Sequence, residues 1–497
     1  MHHFIPFLSI FSFFRTVIAP VAPSKIYGVN LGSWLLLEPW MLPNEWVAMG
    51  GQVCDHCSDC IASEFAFAEA YPDTVDEKFS VHWSTWFNQS DVDVLKSAQI
   101  NTVRIPLGFW IVEALVDRNT EHYPRGGMSY LSYGLKMLRD AGIRAILDHH
   151  ALPGVQTPNQ MFAGKCTSDV QFYTEYNYGR ALIWTSVMTA LSHLHPNFES
   201  VFAIQAANEP IMDANQTPGY GDFQKNFVRT VRATELLLGI SVPGYPSFQG
   251  TTNNTDMKLR LAAVSAADNS GLFQRDSAIV EALTEAIPIL LVIEEELGFL
   301  NFGACQERES LTTNFMDILW QYNDPANPAE AAIGPQTYDH HLYYSFGGVA
   351  DANEDAYMRN ICHRNDIQRD TASGNTPLWY GEWALSTQFD ATNEFLRNWA
   401  DAQKLAYSQD AGWLFWNFKI ERNSTYARQW SYLEGLERGY LTWDPSQVHD
   451  SNVCAPYMDS SSTTKNSTST HGNSLPLKSL RRSGPPRHKG PKRQLFY

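Results

Sequence analysis

Two glutamates stand in short polar runs far apart along the chain, Asn208-Glu209-Pro210 and Gly381-Glu382-Trp383. Two carboxyls can open an acetal when a fold sets them about 5–5.5 Å apart. One attacks the anomeric carbon and the other protonates the leaving oxygen. The acid must keep its proton near working pH, and the nucleophile must stay ionised. Other polar residues sit in similar runs. Arg104 lies in Val103-Arg104-Ile105-Pro106, and His150 closes Asp148-His149-His150. His341 and Tyr343 lie in Asp339-His340-His341-Leu342-Tyr343, and Trp416 in Phe415-Trp416-Asn417. A cation such as Arg104 beside Glu382 would hold that carboxylate charged, and Trp416 would floor a sugar ring. One such carboxylate reads equally well as a structural ion-pair partner. Two, with Arg, His, Asn, Tyr and Trp from other runs, read as a site.

These residues end short apolar or β-branched runs that alternate with helical stretches, the pattern of repeated βα units. The expected strands are Ile26–Leu31, Thr102–Pro106, Arg144–Asp148, Val201–Ala207, Leu311–Met316, Thr337–His341, Pro377–Gly381 and Gly412–Asn417. Helices are expected over Gln89–Ala98, Leu131–Ala141, Gly179–Leu194, Phe223–Leu238 and Asn393–Tyr407. Eight strands in this order, with no second core, predict an α/β fold, a closed (β/α)8 TIM barrel in one domain over 23–459. The strand ends then converge on one face, where Glu209, Glu382 and their neighbours collect. Gly239–Cys305 falls outside the rhythm, as a loop and helical insertion between strands four and five.

The composition excludes some partners. Net charge is −17, and all 53 acidic residues lie at or before Asp459, so nucleic acid would be repelled and a neutral polysaccharide would not. The 15 Trp, 22 Tyr and 27 Phe serve either a large core or sugar-stacking platforms. The apolar run from Phe4 to Phe14 has the length of a signal-peptide core and is too short to span a bilayer. Residues 1–22 are therefore read as a signal peptide, and the chain as secreted with no stable membrane insertion. Sequons at Asn88, Asn215, Asn253, Asn423 and Asn466 fit that reading. From Ser460 the chain is Ser/Thr/Asn-rich and then basic, a disordered tail. Seven cysteines predict up to three disulfides and at least one free thiol. Cys54, Cys57 and Cys60 have metal-like spacing but lack a fourth ligand, so disulfides are preferred. Cys166, in the loop after the third strand, is the expected partner for that run. No metal and no cofactor are expected, because carboxylates and water suffice. A monomer is expected.

The chain resembles glycoside hydrolase family 5, in its fungal exo-β-1,3-glucanase (glucan 1,3-β-glucosidase) branch, over roughly Ile26 to Pro445. The run Gly28-Val29-Asn30-Leu31-Gly32-Ser33-Trp34-Leu35-Leu36-Leu37-Glu38-Pro39-Trp40 carries most of the likeness. Asn208-Glu209-Pro210, Gly381-Glu382-Trp383, Trp416-Asn417-Phe418-Lys419 and Trp430-Ser431-Tyr432 through Asp444-Pro445 add to it. The resemblance implies a retaining hydrolase that releases glucose from β-1,3-glucan, secreted and associated with the cell wall. It implies Glu209 as acid/base and Glu382 as nucleophile, with Arg104, His150, Asn208, His341 and Tyr343 supporting them. Glu38 would bind the terminal glucose, and Trp416, Trp383 and Trp40 would contact substrate. The third-strand motif departs, with Asp-His-His where the branch usually has Asp-Leu-His. The insertion and the cysteine run are also unlike the branch, which leaves open an endo-acting enzyme or one cutting β-1,6 or mixed linkages. A catalytically silent wall-binding protein and a metalloprotein rank below these. Exo action needs a wall past the terminal sugar, expected from Trp40–Ala70 and from the insertion.

Overall fold

The computed structural model describes residues 22–244, 277–298, 308–320 and 333–458. The signal-peptide run, the tail from Ser460, much of the insertion, Cys305 and the sequons at Asn253 and Asn466 lie outside these residues. Eight strands form: β1 (Ile26–Asn30), β2 (Thr102–Gly108), β3 (Arg144–Ala151), β4 (Val201–Gln205), β5 (Thr312–Met316), β6 (Gln336–Leu342), β7 (Leu378–Trp383) and β8 (Gly412–Phe415). Every neighbouring pair is parallel, and β1 pairs with both β2 and β8, so the sheet closes. This is the expected TIM barrel. Its strands are buried almost throughout, as a sheet covered by helices requires. Ile26, Ile146, Phe202, Trp379 and Leu414 plug the interior near the strand starts.

The expected helices appear, with Asn393–Tyr407 at its predicted bounds and Glu175–Leu194 one turn longer. Three more, Pro43–Met49, Glu64–Ala70 and Val75–Trp86, fill the connection from β1 to β2. Among the described residues there are three disulfides: Cys54–Cys60, Cys57–Cys166 and Cys362–Cys454. The second ties the loop after β1 to the loop after β3, as expected for Cys166.

The side-chain period of two decides which polar residues reach the barrel mouth. On β3, Asp148 and His150 face inward, while His149 stacks on Trp184 of the helix outside, with ring centroids 3.9 Å apart. On β6, Asp339 and His341 face inward, and His340 turns out to Asp317 and Tyr380. The alternation breaks on β7, where the register with β6 skips Gly381. A Cβ on Gly381 would lie 1.9 Å from Asp339 Oδ1, so only glycine lets this strand pass. The shift turns Glu382 inward and sends Trp383 to the outer layer.

The described part of the insertion lies away from the barrel mouth. It follows the helix Tyr220–Leu238 and precedes β5, and helix-to-strand connections lie at the barrel face opposite the strand ends. Its described helix, Ser277–Leu297, packs along Glu175–Leu194 and Tyr220–Leu238. Ile279, Leu283 and Ile287 seal that contact against Ala233, Leu236 and Leu237. No described residue of the insertion lines the mouth of the barrel.

Candidate active site

Arg104 is the hub. Its side chain is wholly buried and donates to Glu382 Oε1 at 2.9 Å, Asn208 Oδ1 at 2.7 Å, Gln205 Oε1 at 2.8 Å and Asn30 Oδ1 at 3.0 Å. Asp148 Oδ2 lies 3.0 Å away and Asp339 Oδ2 3.7 Å. Burial works against its charge, but Asp148, Glu382 and Asp339 outweigh that and raise its pKa. Neighbouring strands supply these partners in register, with Asn30 beside Arg104 and Asp148 beside Gln205.

Glu382 receives a second donor from Tyr343, whose hydroxyl lies 2.8 Å from Oε2. Burial, the largest influence, holds the Glu382 pKa above its ordinary value, with Glu209 adding to the rise, although His341, Arg104 and His150 pull it down. His341 sits between the two glutamates. Its Nδ1 is 3.0 Å from Glu209 Oε1 and 3.4 Å from Glu382 Oε2, and its Nε2 is 3.4 Å from Asp339 Oδ2. Burial disfavours a charged ring here, yet Glu382 and Asp339 overcome it and raise the pKa to about 10. One oxygen of each glutamate and a nitrogen of His341 all lie within 4.8 Å of one another.

The third-strand pair resolves by direction. His150 Nδ1 meets Asp148 Oδ2 at 2.5 Å, and its ring lies parallel to Trp416 at 5.6 Å. His149 is buried against Trp184, and burial pulls its pKa down to about 3, so it stays a neutral core residue. Glu38 is nearly buried beside the cleft and accepts from Trp40 Nε1 at 2.9 Å. Burial raises its pKa to about 7.

A cavity of about 670 Å³ opens above these groups, within the range of small-ligand sites. Glu38, Trp40, His150, Asn208, Glu209, Tyr343, Glu382 and Trp416 all line it. Arg104 and His341 lie beneath, touching the glutamates rather than the cavity. Trp383 does not belong to it: its ring is fully buried against Tyr407, Trp413 and Phe415. The expectation of a substrate contact there is corrected by the register shift at Gly381. Conversely, Phe346, Tyr426 and Trp430 line the cavity and were not singled out as contacts. Trp40 packs edge-on against Tyr426 and Trp430, and Tyr343 against Phe346, so one aromatic wall runs from the β1 loop to the β8 loop. Asp148 and Asp339 were visible as strand-end residues, but their joint grip on Arg104 was not.

A second buried group, Asp317, His340 and Asp370, also brings ligand-type atoms within 4.8 Å of one another. Arg369 lies among them, 3.3 Å from Asp317 and 2.8 Å from Asp370. Its guanidinium already neutralises the carboxylates a cation would use.

An eight-stranded parallel barrel with two carboxyls at its strand ends, a buried His between them, a buried Arg against one of them and an aromatic wall is the frame of a glycoside hydrolase. The family model for cellulase (glycosyl hydrolase family 5) matches residues 69–421, and this chain belongs to that family. Glucan endo-1,6-beta-glucosidase B of Emericella nidulans is 28% identical over 446 residues, covering 87% of this chain and 89% of that protein. A probable glucan 1,3-beta-glucosidase A of Aspergillus fumigatus is 31% identical over 447 residues, covering 86% and 90%. The crystal structure of rutinosidase from Aspergillus niger superposes with a TM-score of 0.55 at 18% identity, covering 84% of this chain and 99% of that one. That likeness is one of fold. Among the described residues no helix is long and apolar enough to cross a membrane.

Proposed function

We propose that this enzyme cleaves β-glucan with retention of configuration, and that Glu382 attacks while Glu209 acts as acid and then base. The observation that carries this is that an oxygen of Glu209 comes within 4.8 Å of an oxygen of Glu382, with His341 between them. That spacing suits direct attack, whereas inverting enzymes hold the pair about 6.5–9.5 Å apart to admit a water. Donors on both oxygens of Glu382, from Arg104 and Tyr343, favour its ionised form against the burial that raises its pKa. A Glu382 oxygen bonds to the anomeric carbon as the glycosidic C–O bond breaks, and the Glu209 proton goes to the leaving oxygen. Water then attacks the same carbon, Glu209 takes its proton, and Glu382 is released.

The reading extends to linkage and mode. Endo action on β-1,6-linked glucan is the leading case. Relatives named endo-1,6 match as long a stretch of this chain as the 1,3 relative does. The described helix of the insertion, Ser277–Leu297, packs on the outer helices rather than walling the cavity. Exo cleavage of β-1,3-glucan is the second reading, favoured by Glu38 and Trp40 standing at one end of the cleft. Products on pustulan and laminarin decide between them. A ladder of oligosaccharides from pustulan is expected, and glucose alone from laminarin with no action on pustulan would overturn the leading case. The three disulfides support secretion, with the wall polysaccharide as the partner.

Glu38 makes the reading pH-dependent. With its pKa near 7, it is mostly protonated below neutrality and ionised above. An ionised carboxylate accepts sugar hydroxyls more strongly. KM is therefore expected to fall as pH rises through about 7, and Glu38→Gln to flatten that dependence. A KM that rises through the same window, or a slope that survives in Glu38→Gln, would remove Glu38 from substrate binding.

A further inference from the structure

Glu209 has φ +40°, a left-handed conformation that non-glycine residues rarely adopt and that lasts only where surrounding contacts fix it. The contacts that fix it come from one loop. Gln156, fully buried in the loop after β3, donates from Nε2 to the carbonyl of Asn208 at 3.1 Å and to that of His150 at 2.7 Å. Its own Oε1 accepts from Leu152 N at 3.2 Å. Thr157 Oγ1 donates to the carbonyl of Glu209. The Tyr173 hydroxyl closes the clasp, donating to the Gln156 carbonyl at 2.9 Å and accepting from Ile211 N at 2.8 Å. The carbonyls before and after the Glu209 Cα are thus both held. Holding both peptide planes fixes φ and ψ, and with them the direction in which Cβ and the carboxyl leave the backbone.

We propose that Gln156 and Thr157 are positioning residues that aim the Glu209 carboxyl at the leaving oxygen. The proposal rests on the acid/base reading of Glu209 given above. Neither side chain lines the cavity, so neither meets substrate. Their effect passes through the backbone. The loop is itself tied to the loop after β1, because Cys166 is cross-linked to Cys57. Thr157 and Gln156 therefore offer Glu209 a fixed frame rather than a mobile one.

Proton donation matters most when the leaving group is poor. A dinitrophenol departs without a proton, whereas a sugar hydroxyl needs one. Thr157→Val keeps the shape of the side chain and removes the donor. It is expected to lower kcat/KM on the glucan about ten- to a hundredfold, the range that a misplacement of about 1 Å produces. On a dinitrophenyl glycoside of the same glucan's disaccharide it is expected to change kcat/KM by less than about threefold. Thr157→Ser, which restores the donor, should recover the glucan rate, and Gln156→Leu should repeat the selective loss. A thermal melt on each variant separates misfolding from misaiming. Equal losses on both substrates, or no loss on either, would overturn the clasp while Glu209→Gln still shows the selective loss. A Glu209→Gln enzyme that loses both substrates alike would remove the acid/base assignment itself, and the clasp with it.

Discussion

Glu382→Gln is expected to lower kcat on the glucan roughly 10⁴-fold or more, with folding unaffected. Gln keeps the oxygen that accepts from Arg104, puts an amide nitrogen where Oε2 accepted from Tyr343, and loses the negative charge needed to attack. The remaining carboxylates, Asp148 and Asp339, still neutralise Arg104, which is why the fold should survive. Small nucleophiles add a stereochemical test. In Glu382→Gly, azide can enter the space vacated by the carboxyl and attack the anomeric carbon on that face, giving an α-glycosyl azide. In Glu209→Ala the glycosyl-enzyme forms first, and azide attacking from the other side gives a β-glycosyl azide. The opposite pair of products would exchange the two roles, and activity near the parent's in Glu382→Gln would end the assignment.

The strands and both glutamates were legible because each β-branched run ends in a polar residue, and in a TIM barrel those ends meet. Runs such as Thr102-Val103-Arg104-Ile105 leave little choice of period. Trp383 was misread for a local reason. It directly follows Glu382, but neighbours on a strand face opposite ways, so a tryptophan next to an inward glutamate belongs to the outer layer. The same rule sorts the histidine pairs, sending His149 and His340 out and His150 and His341 in. The described helix of the insertion packs on the outer helices and not at the mouth, and its position in the chain order was enough to place it there. It follows a helix, and a helix-to-strand connection returns to the face opposite the site. Other features had no sequence signal. Gln156 sits in an unremarkable loop, and only the fold brings its amide to the carbonyl of Asn208. The aromatic wall of Trp40, Tyr426 and Trp430 joins residues from opposite ends of the chain.

Arg104→Met is expected to harm stability and activity together, by separable routes. The arginine is wholly buried among Asp148, Asp339 and Glu382, and donates to Asn30, Gln205 and Asn208 as well. Removing one partner of a buried charge cluster leaves the others uncompensated, which costs about 3–5 kcal/mol. Methionine fills the volume without any donor, so the melting temperature should drop steeply. The activity loss has a sign that the pH profile reads. Arg104 is one of three groups, with His341 and His150, that pull the Glu382 pKa down against burial and Glu209. Without it that pKa rises, Glu382 takes up a proton at higher pH, and the acidic limb of kcat/KM moves toward alkaline pH. Raising the pH should then restore part of the activity that Arg104→Met loses near neutrality. Arg104→Lys is the comparison that separates charge from geometry. A lysine keeps the positive charge but cannot reproduce the planar fork that reaches Glu382, Asn208 and Gln205 together. It should therefore leave the acidic limb near its original place while still lowering kcat. If Arg104→Met left the acidic limb unmoved, Arg104 would have no part in keeping Glu382 ionised, and its place at the hub would be structural alone.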